Sequence, residues 1–211
     1  MTRHPYSFLG DSKSGGHLRS GGDATWHDGL IDYTGGTEEG ARRAEAGLSQ
    51  LGRAADISFR FDVRTDWQPV DSQRLLLWAG RFGKQEHFMT AINRAHFERA
   101  HSASERGTLL EACRDVGLDA AAAAAFLDSD ELRDAVWKSY GDTIRGHGIH
   151  AIPFFVFHHA ASGATGGPFR PRGEHDPWFV NGSMDADHFL QIFTQIRERA
   201  LKGGGAPRSE L

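Results

Sequence analysis

Cysteine is nearly absent from this 211-residue chain, whose single thiol is Cys113. One cysteine excludes a disulfide framework within the chain, and with it any Cys-x-x-Cys pair. Apolar runs are short, and none approaches the ~18 residues needed to cross a bilayer. Positive charge is not in excess either. The 24 Lys and Arg stand against 28 Asp and Glu, giving a formal charge of −4, and no basic block reads as a nucleic-acid arm. Met1-Thr-Arg-His-Pro-Tyr6 begins with charge and has no apolar segment behind it, so no secretory leader is visible. Also missing are a Gly-x-x-x-x-Gly-Lys-Ser/Thr phosphate loop and a glycine-rich turn set between strand and helix in dinucleotide fashion. The expectation is a globular chain with neither nucleic acid nor membrane as partner, suited to a reducing, cytoplasmic setting. Its length allows one large domain, or one domain with an insertion, and a core of its own.

What is present divides by periodicity. Residues 10–36 are rich in Gly and Ser and read as loop, after a short strand at Pro5-Tyr-Ser-Phe-Leu9. Thr37 is placed to cap a helix reaching Leu51, with acidic residues in its first turn. Asp56-Ile-Ser-Phe-Arg-Phe-Asp-Val63 alternates strictly, which fits a strand with one buried face or an extended connector. From residue 68 to 147 the period becomes helical. Pro69 suits a helix start, Leu75, Ala79 and Phe82 follow at helical spacing, and Gly83 stops the run. Phe88, Ile92 and His96 lie on the next helix. Ser102-x-x-Glu105 reads as a capping box before Leu109, Cys113 and Val116, and Asp119 as the cap of an alanine run. Leu132, Val136, Tyr140 and Ile144 line a last helix of this block.

The most informative stretch follows, Gly148-Ile-His-Ala-Ile-Pro-Phe-Phe-Val-Phe157. Proline lacks the ladder N–H but fits as the first residue of a strand. A Gly/Pro-rich excursion then leads to a second strand, Trp178–Gly182, and to a helix whose Phe189, Ile192, Phe193 and Ile196 share one stripe. The Ile152–Pro153 step before an apolar strand resembles the cis-proline strand of DsbA-like thioredoxin-fold proteins, and most nearly the FrnE and 2-hydroxychromene-2-carboxylate isomerase branch. Further likenesses lie in Asp71-Ser-Gln-Arg-Leu-Leu-Leu-Trp-Ala79 with Gly83-Lys-Gln85, in Phe97, in Leu127-x-Ser-Asp-Glu-Leu132, and in Asn181-Gly-Ser183. Together they cover about residues 55–200.

That resemblance implies an α/β thioredoxin-like fold with a DsbA-type helical insertion, N-terminally incomplete. Arg3-His-Pro-Tyr-Ser-Phe-Leu9 resembles the strand that in the family follows the active-site helix, so the first strand and that helix are expected to be lacking. The division expected is a loop-rich segment at 1–54, the DsbA-like domain at 55–202 with its helical insertion near 68–147, and a disordered tail at 203–211. The family activity is thiol–disulfide oxidoreduction on protein thiols and disulfides, for which this chain has no cysteine pair, so no catalytic residue is assigned. Two alternatives stay open. One is a relative of the glutathione-dependent isomerases or kappa-type glutathione transferases, with glutathione as cofactor. The other is a non-catalytic peptide-binding module. Ile152 and Pro153 are the candidate substrate groove under each of them.

The remaining chemistry-bearing residues read more plainly. Cys113 sits on an apolar helix face, where cysteine behaves as a small hydrophobe. Adjacent His158 and His159 would point to opposite faces of a strand, and no ligand spacing accompanies them, so no metal is expected. Arg170 and Arg172 could meet an anionic ligand, but they stand among ordinary loop markers. Trp67, Trp78 and Trp137 fall at helix or helix-start positions and read as core. A sheet short of one strand and one helix predicts a tendency to form homodimers or aggregate.

Overall fold

The Thr37 hydroxyl accepts the Gly40 N–H at 3.1 Å, and the chain turns helical immediately behind it. The computed structural model describes residues 1–11, 23–157 and 178–203. Its elements in order are α1 (Trp26–Tyr33), α2 (Glu38–Ala54), α3 (Val70–Gly80), α4 (Gln85–Arg99), α5 (Arg106–Asp115), α6 (Ala120–Asp128) and α7 (Arg133–Gly141). A π-helical turn, Asp142–Gly146, extends α7; then come β1 (Phe154–Phe157), β2 (Trp178–Asn181) and α8 (Ala186–Gly203). The chain divides into two compact units, Met1–Gly146 and His147–Leu211. That cut falls where the helical periodicity of the sequence gives out.

In the first unit, α3 packs against α4, α6 and α7, and α5 against α4 and α6. Leu75, Leu76, Ala79, Phe88, Ile92, Leu109, Cys113 and Phe126 form its apolar centre. Burial of such side chains contributes about 1.5–3 kcal/mol each relative to exposure. Asp119 caps α6 as its position implies, its Oδ1 accepting from Ala121 N at 2.8 Å and Ala122 N at 3.2 Å.

Three expectations need correction, and one that was left open is decided. Residues 26–33, set inside the Gly/Ser-rich loop, form α1. Thr25 opens it with a full capping box, accepting from the Asp28 N–H while Asp28 accepts from the Thr25 N–H at 2.8 Å. Glycine density had hidden a helix start that needs only Thr-x-x-Asp. Residues 5–9 are not a strand. The alternating segment 56–63 takes the second of its two expected forms, an extended connector rather than a strand. Its face is as expected, with Val63 buried and Ile57, Phe59 and Phe61 half-buried. Its backbone bonds are scattered, however: Arg60 N to Phe97 O at 2.6 Å, His27 N to Phe61 O at 2.9 Å and Trp26 N to Val63 O at 2.8 Å. Alternation reports a buried side, not a ladder partner. Finally, α5 starts at Arg106 rather than Ser102. The Ser102 hydroxyl donates instead to Arg64 O at 2.7 Å, tying the extended segment to the turn before α5.

The second unit holds β1 and β2 as an antiparallel pair, in register Phe154↔Asn181 to Phe157↔Trp178. Pleating sends Phe155 and Phe157 to one face. There they meet Phe189 of α8 at ring separations of 5.1 and 6.0 Å, and Phe157 also meets Phe193 at 5.5 Å. Phe154 lies on the opposite face beside Phe179, 5.8 Å away. Asp185 Oδ1 accepts the His188 N–H at 2.8 Å, a side-chain cap where α8 begins. The tail expected at 203–211 falls, beyond Gly203, outside the described residues.

Candidate functional site

Gly148, at φ +64°, takes the left-handed conformation that a side chain resists, and the backbone then swings toward the strand. The Ile152–Pro153 peptide is cis. Pro153 opens β1, and its carbonyl accepts the Gly182 N–H at 2.8 Å, which closes the ladder at this end. Gly182 itself stands at φ +95°. Ala151, Ile152 and Pro153 are all exposed, Ile152 by 47%. Among the described residues β1 has a ladder partner on one edge only, β2. An exposed apolar turn beside an unpaired strand edge offers main-chain donors and acceptors to an extended ligand. It brings no thiol with it: the unit's described residues include no cysteine.

The lone thiol lies in the other unit. Cys113 is on α5, fully buried among Leu109, Ala112 and their neighbours. Burial pushes its thiol up to about 11, against the opposing charge of Arg114. The thiolate is the reactive form, so at neutral pH this cysteine is both hidden and protonated. The sequence reading of an inert core residue matches its position. Trp78 is buried as well, and Trp67 and Trp137 are half-buried.

Histidines were the other candidates. Among the described residues no group of three or more His, Cys, Asp or Glu is placed to hold a metal. His158, His159, Arg170 and Arg172 lie outside the described residues. His96 is buried on α4, and burial pushes it down to about 4. Its Nδ1 accepts the Ala103 N–H at 3.2 Å, and Nε2 is 3.4 Å from the Thr65 hydroxyl. An accepting Nδ1 assigns the neutral ring with its proton on Nε2, a bracing role rather than a catalytic one.

The quoted motif residues meet in a way that sequence order conceals. Arg74, fully buried, donates from Nε to Glu131 O at 2.8 Å and from Nη2 to Ser129 O and Phe126 O at 2.5 and 3.1 Å. Its Nη1 reaches Asp71 Oδ1 at 2.8 Å, and its guanidinium carbon lies 4.9 Å from the centre of the Phe126 ring. One side chain therefore gathers three carbonyls at and just beyond the end of α6. The Asp71–Ala79 and Leu127–Leu132 motifs thus meet in a single locked corner. Gln85, the third motif residue, accepts from Arg3 N at 2.7 Å and donates to Arg3 O at 3.2 Å, fixing the N-terminal segment. Sequence reasoning missed the role of Arg74. The signal was there: a guanidinium next to Leu75-Leu-Leu-Trp78 must find buried partners.

Comparison with known proteins agrees with this geometry. The profile described as DSBA-like thioredoxin domain matches residues 3–189, taking in most of the N-terminal segment too. A solved structure described as a probable DsbA oxidoreductase from Streptomyces coelicolor is similar, with a TM-score of 0.65 and 24% identity. It covers 89% of this chain and 71% of its own. Another, described as a candidate protein disulfide isomerase from Nitrosomonas europaea, gives a TM-score of 0.55 at 15% identity, over 80% of this chain and 77% of its own. Likeness at such identity shows the fold, an α/β thioredoxin-like fold with a helical insertion. No curated protein is significantly similar in sequence.

Proposed function

The chain belongs to the DSBA-like thioredoxin-domain family, and on that premise we propose that these 211 residues bind thiol-bearing or disulfide-bearing peptides without redox turnover. The observation that carries the reading is Cys113, the only cysteine, with no exposed surface and a thiol pushed up to about 11. Dithiol–disulfide exchange needs two thiols. One thiolate attacks a substrate sulfur to form a mixed disulfide, and a second displaces the reduced product as the first pair closes. A single buried, protonated thiol supplies neither step. What remains is recognition: the exposed Ile152–Pro153 turn and the edge of β1 that has no ladder partner among the described residues suit an extended peptide that adds as a strand.

The quoted motifs support a place near the FrnE and 2-hydroxychromene-2-carboxylate isomerase branch. Among the described residues no helix is long and apolar enough to cross a membrane. A lone buried thiol suits a reducing compartment such as the cytoplasm.

The test is an insulin-reduction assay with a dithiol, run beside a binding titration with a reduced cysteine-containing peptide and with glutathione. No turnover above background is expected, together with amide shifts at Ile152 and along β1 on adding the peptide. Turnover that disappears in Cys113→Ala would overturn the reading. Glutathione shifting the same amides, with the peptide inert, would favour a glutathione-dependent isomerase or kappa-type transferase relative.

A further inference from the structure

His27 lies in the first turn of α1, and both of its ring nitrogens face carboxylates of α2. Nδ1 is 2.5 Å from Glu45 Oε1, and Nε2 is 3.1 Å from Glu38 Oε2. A carboxylate can only accept, so two such contacts need two N–H donors, and only the imidazolium has both. A neutral ring keeps one bond and turns a lone pair toward the other carboxylate. The same residue anchors α1 on its other side through the bond from His27 N to Phe61 O, next to that from Trp26 N to Val63 O. The Trp26 ring packs on Phe61 at 4.7 Å, Phe97 at 5.0 Å and Phe59 at 5.6 Å. Helix α1 therefore covers a cluster of half-buried aromatics, and the His27 side chain clips it to α2.

We propose that His27 is a proton-operated latch: charged, it holds α1 against α2, and on losing its proton it lets α1 lift more often from Phe59, Phe61 and Phe97. Other charges near it are already committed. On α2, Arg42 bonds Glu38 at 2.9 Å and Arg43 bonds Glu39 at 3.3 Å. On the extended segment, Arg60 pairs with Asp62 at 2.6 Å, and Arg64 with Glu105 at 3.3 Å and Asp23 at 3.6 Å. On α1, Asp28 is bound in the Thr25 capping box, and Asp32 is the helix's remaining carboxylate. Arg42 competes for Glu38, which leaves Glu45 as the chief counter-charge.

The bond to Glu45 raises the His27 ring above its ordinary 6.5, burial opposes this, and the bond to Glu38 adds to it. Glu38 is lowered in turn, first by His27 and then by Arg42. A group raised on folding contributes stability fully below its unfolded value, and that contribution is lost as pH rises through the folded value. The latch is therefore tightest in mild acid and loosens toward alkaline pH. His96 works in the opposite sense and in a lower window, between about 4 and 6.5, so the two are separable.

The experiment uses the full chain. Nitrogen NMR of the His27 ring should show both nitrogens protonated at pH 6 and a midpoint above 6.5. Hydrogen exchange of the α1 amides, corrected for intrinsic base catalysis, should show protection falling roughly two- to fivefold between pH 6 and pH 9, the size expected of a partly exposed ion pair. In His27→Gln that pH dependence should vanish, with protection at pH 6 already at the wild-type pH 9 level. Glu45→Gln should lower the His27 midpoint, which keeps the idea open to failure if the first variant does not fold. A midpoint at or below 6.5, or α1 protection that ignores pH, overturns the latch. So does the same pH dependence in His27→Gln.

Discussion

In the helical unit Leu75, Leu76, Phe88 and Leu109 are at most 1% exposed, whereas in the sheet unit Phe179 and Phe193 are 53% and 52% exposed. Both units are built from aromatic and aliphatic residues, so composition does not explain the contrast; geometry does. Helices α3 to α7 surround one another, and each apolar stripe finds another stripe. The two-stranded sheet has α8 on one face, with Phe155 and Phe157 against Phe189, while Phe154 and Phe179 lie on the other. A two-stranded sheet is marginal alone, because half of its side chains point away from whatever covers it. Polar groups follow the same division. Arg74 uses its donors inside the first unit, while the β1 edge keeps main-chain groups without a ladder partner among the described residues. The well-packed helical unit and the proposed recognition surface thus lie in different regions.

Three substitutions bear on this comparison, in decreasing order of effect. Arg74→Ala strips partners from Asp71 and from the carbonyls of Phe126, Ser129 and Glu131, and should cost about 3–5 kcal/mol, as breaking a buried charged network does. Chemical denaturation of the helical unit measures it. A loss below about 1 kcal/mol would mean that this corner is solvated and the contrast overstated. Phe155→Ala removes a ring that rests on Phe189 and is only half-buried, so about 2 kcal/mol is expected, less than a full core truncation. Hydrogen exchange should show the loss in β1, β2 and α8 with helices α3 to α6 unchanged. Equal loss in both places would show that the two compact units unfold as one. Phe179→Ser should change stability by no more than about 0.5 kcal/mol, the usual range for an exposed position. A cost of 2 kcal/mol or more would reveal that this face is covered in solution.

The helical block was legible because its signals are local. Caps at Thr37 and Asp119, the stop near Gly83 and apolar residues at helical spacing each act within a few residues. Cys113 was readable as core for the same reason, since its spacing to Leu109 sets its face. Ile152 and Pro153 were legible as the start of a strand, with β2 as its partner. Helix α1 was not, because four glycines at 15, 16, 21 and 22 and two at 35 and 36 mark loop on both sides of it. Its stability comes from contacts with residues 61, 63 and 97 and with α2. The missed His27 pair has the same cause: a residue set inside a loop is not tested for partners on a helix.

The sequence by itself determined the local conformations and one chemical limit. A chain with a single cysteine holds no cysteine pair, whatever shape it takes. Tertiary structure decided everything that depends on which distant residues meet. It turned the alternating 56–63 segment into a connector bonded to Trp26, His27 and Phe97, and it joined two separate motifs through Arg74. It also raised the Cys113 thiol by burying it and faced both nitrogens of His27 with carboxylates. The physical reason is range. Backbone preference, caps and side-chain period act over one or two helical turns, but burial, desolvation and charge pairing are properties of a neighbourhood that exists only after the chain has folded.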